Sequence, residues 1–462
     1  MIKYNLIVAI LLYSSGVAMA QEKLSLSDAV KLGLANNYDI RIQDETVAKT
    51  TNNNNWGQAG RLPTVDFTTT LNNSISNIDN DPQFNFGFAS PGFILHNSMN
   101  NALTPTINLG WTLFNGNKIS ITKRQLENLQ KESEGNADIV VSNTIQTIVL
   151  GYYRVMVEKE RLNRFQQQLN LSKDKYDYWL LKSEVGGALR SEVLLEEGNY
   201  LTDSTNYINQ QLAYRNALRQ LNFVLAEDDV DKEYELTSSL ELNWDELVLG
   251  ELQDELENNV DIKKLYISQE VINNTLDINR AGRWPTLAMN GGYRYNMSRQ
   301  DLTSATSNLT AANGDPFSAP EFASIARTGS AYINFSLTFN LFNGGKINRA
   351  IQNASTDLEI GAIQIDRLKA SVFRDLSDAF DAYTIRKQVY EINTRKKVAA
   401  SQNLEISTQK YRNGTINSFD FRIVQNNYLI ASIQELQSVY DLVDTRVTLM
   451  RLTGGLLENY VE

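Results

Sequence analysis

The chain of 462 residues has no cysteine, one histidine and seven prolines. Without Cys there is neither a disulfide framework nor a lipidated N-terminal thiol. The single His96 lies in an Asn-rich stretch and reads as solvated rather than as a ligand. Sparse His and Met also weigh against a copper route. Beyond the N-terminus no segment is apolar for the ~20 residues that a membrane-spanning helix needs, so any membrane contact must come from another kind of element. No GxxxxGK[ST] loop is present, so the chain does not supply its own nucleotide energy by that route. Ser120-x-x-Lys123 and Ser172-x-x-Lys175 match the acyl-enzyme SxxK spacing, but they fall in helical segments without companion motifs and read as chance. Asp79-Asn80-Asp81 lacks the Gly and the terminal Glu of a calcium loop and reads as a solvated turn. The expectation is a protein that is not an enzyme and carries no cofactor or metal.

What is present begins with a leader. Residues 1–20 carry Lys3, an apolar run from Leu6 to Leu12, and Ala18-Met19-Ala20 in the small-x-small pattern of signal peptidase sites. Gln21 is the expected mature N-terminus, and the protein is expected to be exported. The formal charge of -11 becomes one unit more negative without Lys3, which disfavours nucleic acid or an anionic membrane surface as the main partner.

The chain says one sentence twice. AGRLPT at 59–64 returns as AGRWPT at 281–286, and WTLFNGNKI at 111–119 returns as FNLFNGGKI at 339–347. At the first offset Leu34, Asn36, Asn37, Asp39 and Ile40 fall on Leu256, Asn258, Asn259, Asp261 and Ile262; at the second, Lys182, Gly186, Tyr200 and Leu201 fall on Lys410, Gly414, Tyr428 and Leu429. The spacing predicts a tandem duplication: a first repeat at 21–225, a linker at 226–245, a second repeat at 246–454 and a tail at 455–462.

Each repeat reads as helix, strand, strand, helix, helix. Ser25 or Ser27 caps a helix over 24–58 that Pro63 ends. Val65, Phe67, Leu71 and Ile75 then alternate with polar residues, as do Ile107, Leu109, Trp111 and Leu113 after a loop at 79–100. From Lys118 to about Leu181 a proline-free polar segment predicts a helix of roughly 96 Å at ~1.5 Å per residue. Gly186-Gly187 breaks it before a return helix at 189–225. The second copy is expected as helix 246–280, strand 287–297, loop 298–327, strand 330–342, helix 346–411, a tip at Asn413-Gly414, and helix 418–453. A stripe from Ile347 through Ala354, Ile365, Val372 and Leu376 to Tyr383 keeps a helical period and reads as a packing seam.

Four alternating strands match the ~9 to 11 residues needed to cross a bilayer at a tilt, but four cannot close a barrel, and open edges in lipid leave backbone groups unpaired at several kcal/mol each. Two chains would give eight strands largely filled by side chains; three give twelve and a lumen. A soluble β-sandwich with helical arms is the competing architecture.

In order and twice, LSLSDAVKLGLANN, LFNGGKI and KYRNGTINSFD resemble the TolC-type outer-membrane efflux family, over almost all of residues 21–454. The resemblance implies a mixed α/β membrane protein whose trimer shares a twelve-strand β-barrel, continuous with a long periplasmic α-helical barrel and an equatorial region near 226–245. It implies a passive channel of a tripartite efflux or type I secretion system in the bacterial outer membrane, working with a periplasmic adaptor and an inner-membrane pump. Unlike the family's longer members, this chain ends soon after its last helix. The runner-up function is a non-conducting adhesin or receptor displaying residues 79–100 and 298–327. The cargo is not legible.

At the tips, the turns Gly186 and Gly414 are each followed six residues on by an acid, Glu192 and Asp420. These read as two solvated surface acids, or as a gate. In the resembling family this position contributes to a constricted electronegative mouth; a second family acid three residues on is here Ile423. On the gate reading, threefold symmetry gathers six carboxylates that attract cations, and Tyr411, Arg412 and Arg190 bridge to them to hold the mouth shut.

Overall fold

The computed structural model describes residues 22–80, 83–85, 88–90, 93–240, 247, 249–301, 306–307 and 323–460. The leader at 1–20, Asp81 and residues 241–245 of the expected linker lie outside the described residues, as do the side chains of Asp79, Asn80 and His96. In chain order the elements are β1 (Glu22–Leu24), α1 (Leu26–Asn36), α2 (Tyr38–Asn53), β2 (Thr64–Asn80), β3 (Gln83–Asn85), β4 (Phe88–Ser90), β5 (Phe93–Phe114), α3 (Lys118–Glu184), α4 (Arg190–Val224) and β6 (Tyr234–Leu236). They continue with α5 (Leu249–Asp254), a 3-10 turn (Glu255–Asn258), α6 (Val260–Ala281), β7 (Thr286–Asp301), β8 (Thr306–Ser307), β9 (Ala323–Thr338), α7 (Lys346–Arg412), α8 (Ser418–Thr453) and α9 (Gly455–Tyr460). Both α3 and α7 have 67 residues. Among the described residues no helix is long and apolar enough to cross a membrane.

The chain forms two compact units, one of residues 1–50, 130–268 and 361–462, the other of 51–129 and 269–360. In the helical unit, the helix expected over 24–58 starts at the Ser25 cap, whose hydroxyl accepts from Asp28 N–H at 3.1 Å, and is then broken at Asn37. The physical cause is a side chain that competes with the helix: Asn37 Oδ1 accepts from the N–H groups of Asp39 and Ile40, at 2.9 and 3.3 Å, and so caps the next helix. The helix expected over 246–280 breaks in the same way, with Asn259 Oδ1 accepting from Ile262 N–H at 3.0 Å. Both asparagines are buried, and their amides donate to carbonyls near the ends of the return helices, Asn37 to Val224 at 2.8 Å and Asn259 to Leu452 at 2.9 Å.

Two apolar clusters hold this unit. One joins Ile145, Ile148 and Tyr152 of α3 to Leu218 and Leu221 of α4, Leu24 of β1, Tyr234 of β6 and Leu456 of α9. Tyr152 is fully buried and donates its hydroxyl to the Leu24 carbonyl at 2.8 Å. The other packs Val372, Leu376 and Tyr383 of α7 against Leu442, Leu449 and Leu452 of α8, which places the second half of the expected stripe in a core. Each fully buried leucine there contributes roughly 1.5–3 kcal/mol. Residues 226–245 gave no sequence assignment; part of them is β6, which runs parallel to β1. The expected tail at 455–462 begins instead as the short helix α9, seated in the first cluster through Leu456.

The strand unit contains an antiparallel sheet in the order β2-β5-β7-β9, with β8 pairing the outer end of β5. The loop expected at 79–100 is largely paired: β2 and β5 run together, with one register shift between Ser76 and Ile78, out to Asn80 opposite Phe93, and β3 and β4 form a hairpin between them. Polar residues such as Asn97, Ser98 and Asn100 sustain a strand as well as they would a loop, which is why composition misled there. The loop expected at 298–327 is shortened likewise, since β7 runs to Asp301 and β9 begins at Ala323. Registers such as Val65 opposite Leu109, Leu109 opposite Gly291 and Gly291 opposite Ile333 put odd-numbered residues of all four strands on one face. Phe67, Ile107, Tyr293, Ile333, Phe335 and Leu337 stand exposed on it. Thr68, Asn108, Asn290, Arg294, Asn334 and Ser336 occupy the other.

Candidate functional site

Both helix pairs of the helical unit turn on a glycine with positive φ, Gly186 at 75° and Gly414 at 72°. The N–H of the following residue reaches back to a carbonyl five positions earlier, Gly187 to Lys182 at 2.8 Å and Thr415 to Lys410 at 2.9 Å. This is the Schellman closure that frees a chain to reverse after a helix. Both sequence-predicted tip turns are therefore helix stops with the same bonding.

Glu192 and Asp420 sit at the third position of the return helices and are tied to the caps. Leu189 N–H donates to Glu192 Oε2 at 2.9 Å. Asp420 N–H donates to Asn417 Oδ1 at 2.8 Å, and Asn417 Nδ2 returns a bond to Asp420 Oδ2 at 2.9 Å. Acids in a first helical turn are also favoured by the helix dipole. Within the protomer neither forms an ion pair with Arg190 or Arg412 among the described residues, and both arginines stand exposed.

Tyr411 is placed differently, half-buried against a cluster of buried residues. Its ring stacks on Phe421 with centroids 4.6 Å apart and planes 8° from parallel. Trp179 Nε1 donates to its hydroxyl at 3.2 Å. Lys175, buried, puts its ammonium 5.5 and 5.6 Å from those two ring centroids and 3.2 Å from Glu196 Oε2. Glu196, also buried, accepts from the Ser418 hydroxyl. Burial holds the Lys175 ammonium below its ordinary pKa, against the opposing pull of Glu196. Two turns along, Arg422 grips Asp203 with two bonds of 2.6 and 2.7 Å, and Gln168 Nε2 donates to the same carboxylate at 3.2 Å. With side chains 13% and 3% exposed, this bidentate pair is a desolvated tie from α8 to α4.

Sequence reasoning missed Lys175, Glu196, Asp203 and Arg422. A signal existed. At the spacing that superposes Gly186 on Gly414, these four charges fall on Asn403, Val424, Ala431 and Leu194, so charge appears where the other copy is neutral. Asp203–Arg422 connects the two non-identical copies and Lys175–Glu196 lies within the first, and buried pairs present in one copy only would leave such a mark.

On the sheet, Tyr332 lies over Gly292 and donates to Asn108 Oδ1 at 2.9 Å on the polar face. Tyr293 lies over Gly329 on the apolar face. Glycine thus makes room for a tyrosine ring on each face.

The model of the family described as outer membrane efflux protein matches residues 252–455. Comparison with curated protein sequences gives no match. Among solved structures, the chain resembles the Campylobacter jejuni CmeC outer membrane channel, with 19% identity and a TM-score of 0.71 over 93% of this chain and 85% of that one. It resembles CusC, in a study of folding and transmembrane channel formation, with 14% identity and a TM-score of 0.70 over 93% and 92%. A membrane protein from Pseudomonas aeruginosa is similar at 15% identity, TM-score 0.70, over 93% of each chain.

Proposed function

We propose that the chain, whose residues 252–455 match the model of the outer membrane efflux protein family and whose fold is similar to that of solved outer-membrane channels, is a passive, trimeric export channel of the bacterial outer membrane. The observation that carries the reading is the four-stranded sheet. Its odd face is exposed and apolar, its even face is polar, and among the described residues neither β2 nor β9 has an outer partner. In lipid such edges must be paired, and only closure does that. Three copies supply twelve strands with the polar face turned to a lumen; two would supply eight, whose interior side chains would fill. The family's printed name and the channel titles of its structural relatives support conduction over display, which favours a channel above an adhesin.

The long helices α3 and α7 with their return helices form the periplasmic passage on this reading, and the tips are where a periplasmic adaptor and an inner-membrane pump engage. Such a conduit needs no catalytic group of its own, because the driving energy enters at the pump. Glu192 and Asp420 cap their helices within each protomer and, in a trimer, set six carboxylates at the tip mouth. These two roles are compatible, since a capping carboxylate uses one oxygen and leaves the other for passing cations.

The test has two arms. Light scattering of the folded protein in mild detergent gives about three times the mature mass, and planar bilayers show discrete conductance steps. A monodisperse folded monomer sinks the architecture. A trimer without conductance leaves the adhesin reading in its place.

A further inference from the structure

A cavity of about 860 Å³ opens beside the tip turns, between α3, α4, α7 and α8, a volume in the range of small-molecule sites. Its wall is aromatic: Trp179, Tyr411 and Phe421, with the stacked Tyr411 and Phe421 rings presenting flat surface. Two buried donors also line it. Gln425 is 2% exposed and its Nε2 has no hydrogen-bond partner. Lys175 is 8% exposed and its Nζ stands 3.2 Å from Glu196 Oε2, one carboxylate contact for an ammonium that carries three N–H donors. Glu196 is meanwhile engaged by the Ser418 hydroxyl and the Asn199 amide. An unpartnered amide and an ammonium with N–H donors to spare, buried beside open volume, leave places for acceptor oxygens.

We infer that this cavity binds a small planar aromatic carboxylate, one oxygen accepting from Lys175 Nζ and the other from Gln425 Nε2, with the ring laid against the Tyr411 and Trp179 wall. Asp174, Glu192 and Glu196 line the cavity as well as Lys175, Lys182 and Arg412, but Glu192 is tied to the Leu189 N–H, and the charge of the ligand follows from Lys175, a buried cation sharing one carboxylate with two neutral donors. Lys182, whose ammonium sits 4.5 Å from the Trp179 ring centroid, adds positive charge at the same wall. A ligand anion restores what burial takes from Lys175, while an aromatic amine would set a second cation against it. Flat aromatic walls favour a ring over an alkyl chain, because offset stacking adds to apolar burial. The site lies inside one unit of one protomer, so it does not depend on trimer closure or conduction.

The experiment is calorimetric titration of 2-naphthoate into the full-length folded protein in detergent, with 2-naphthalenemethanol as the uncharged comparator. The expected result is saturable binding at one molecule per protomer, at least about tenfold weaker for the alcohol. Binding weakens by about tenfold or more in both Lys175→Met and Gln425→Leu. Gln425→Leu replaces an unpartnered amide by an apolar group of similar size and retains the fold, as the helical circular dichroism checks, so it decides the matter should Lys175→Met fail to fold. Absence of saturable binding to the wild-type protein overturns the inference, as does equal binding of the alcohol or unchanged affinity in Gln425→Leu. Either failure can occur in a fully conducting trimer, which separates it from failure of the channel reading.

Discussion

Lysine placed along β9 should report the depth and face of each residue in the bilayer. The outward apolar run of this strand extends from Gly329 to Leu337, bounded on the outer side by Arg327. Eight steps at ~3.3 Å make roughly 26 Å of strand, and a tilt near 40° reduces this to about 20 Å of height, close to the ~25 Å apolar band of such barrels. Ile333 is the middle of that run. It is 70% exposed in the protomer, and its register partner is Gly291, so a lysine there has no cross-strand side chain to lie against. Ile333→Lys should therefore cost the midplane value of roughly 2–4 kcal/mol, Leu337→Lys about 0–1, and Phe335→Lys a value between them. Asn334→Lys, on the polar face opposite Asn290, should cost close to nothing. Guanidinium unfolding in phospholipid vesicles at a fixed lipid ratio gives the order. The reasoning is refuted if Asn334→Lys costs as much as Ile333→Lys, or if the three outward positions are equal.

Arg422→Ala strands the buried Asp203 with Gln168 alone and should lose about 3–5 kcal/mol, whereas the double replacement Asp203→Leu with Arg422→Met should recover most of it; thermal midpoints and hydrogen exchange around residues 165–205 measure both. Gly292→Ala sets a Cβ hard against the Ile107 carbonyl oxygen, backbone that cannot yield cheaply, and should destabilise the sheet by about 1–3 kcal/mol. Gly329→Ala meets only the movable Tyr293 hydroxyl and should cost less in the same unfolding assay. In planar bilayers Asp420→Asn should weaken cation selectivity and block by multivalent cations more than Glu192→Gln does, and an unchanged double variant would return both acids to capping alone.

Elements with a strong period could be read from the chain alone. The segment from Lys118 has no proline and a glycine pair at its end, and the helix is Lys118–Glu184; Ser418 to Thr453 was legible to the residue. Breaks at Asn37 and Asn259 were not, because a buried asparagine that leaves one helix and caps the next looks, in sequence, like any polar residue on a helix face. Their recurrence in LANN and LENN was visible, but the partner carbonyls of Val224 and Leu452 are distant in sequence. The tip shows the same limit. Glycine stops follow from backbone chemistry and were found. The first-turn acids were found by position, but their bonds to the caps needed coordinates. Lys175 and Asp203 look like ordinary surface charges on polar helices until α8 is packed against them.

The unsatisfied outer sides of β2 and β9 also constrain how the protein is made. Among the described residues these strands, of 17 and 16 residues, are paired on one side only, and a long, flat, apolar edge is a template for indiscriminate pairing with any similar strand. A newly exported protomer with a finished sheet would be the most aggregation-prone form of the molecule. In the proposed trimer closure takes three bodies, so its rate falls steeply on dilution, while off-pathway stacking needs only two. The safe order of events is to leave the strands unzipped until neighbours and bilayer are both at hand. The helical unit, whose cores close within one chain, is free to fold first and to serve as the scaffold on which the strands find one another.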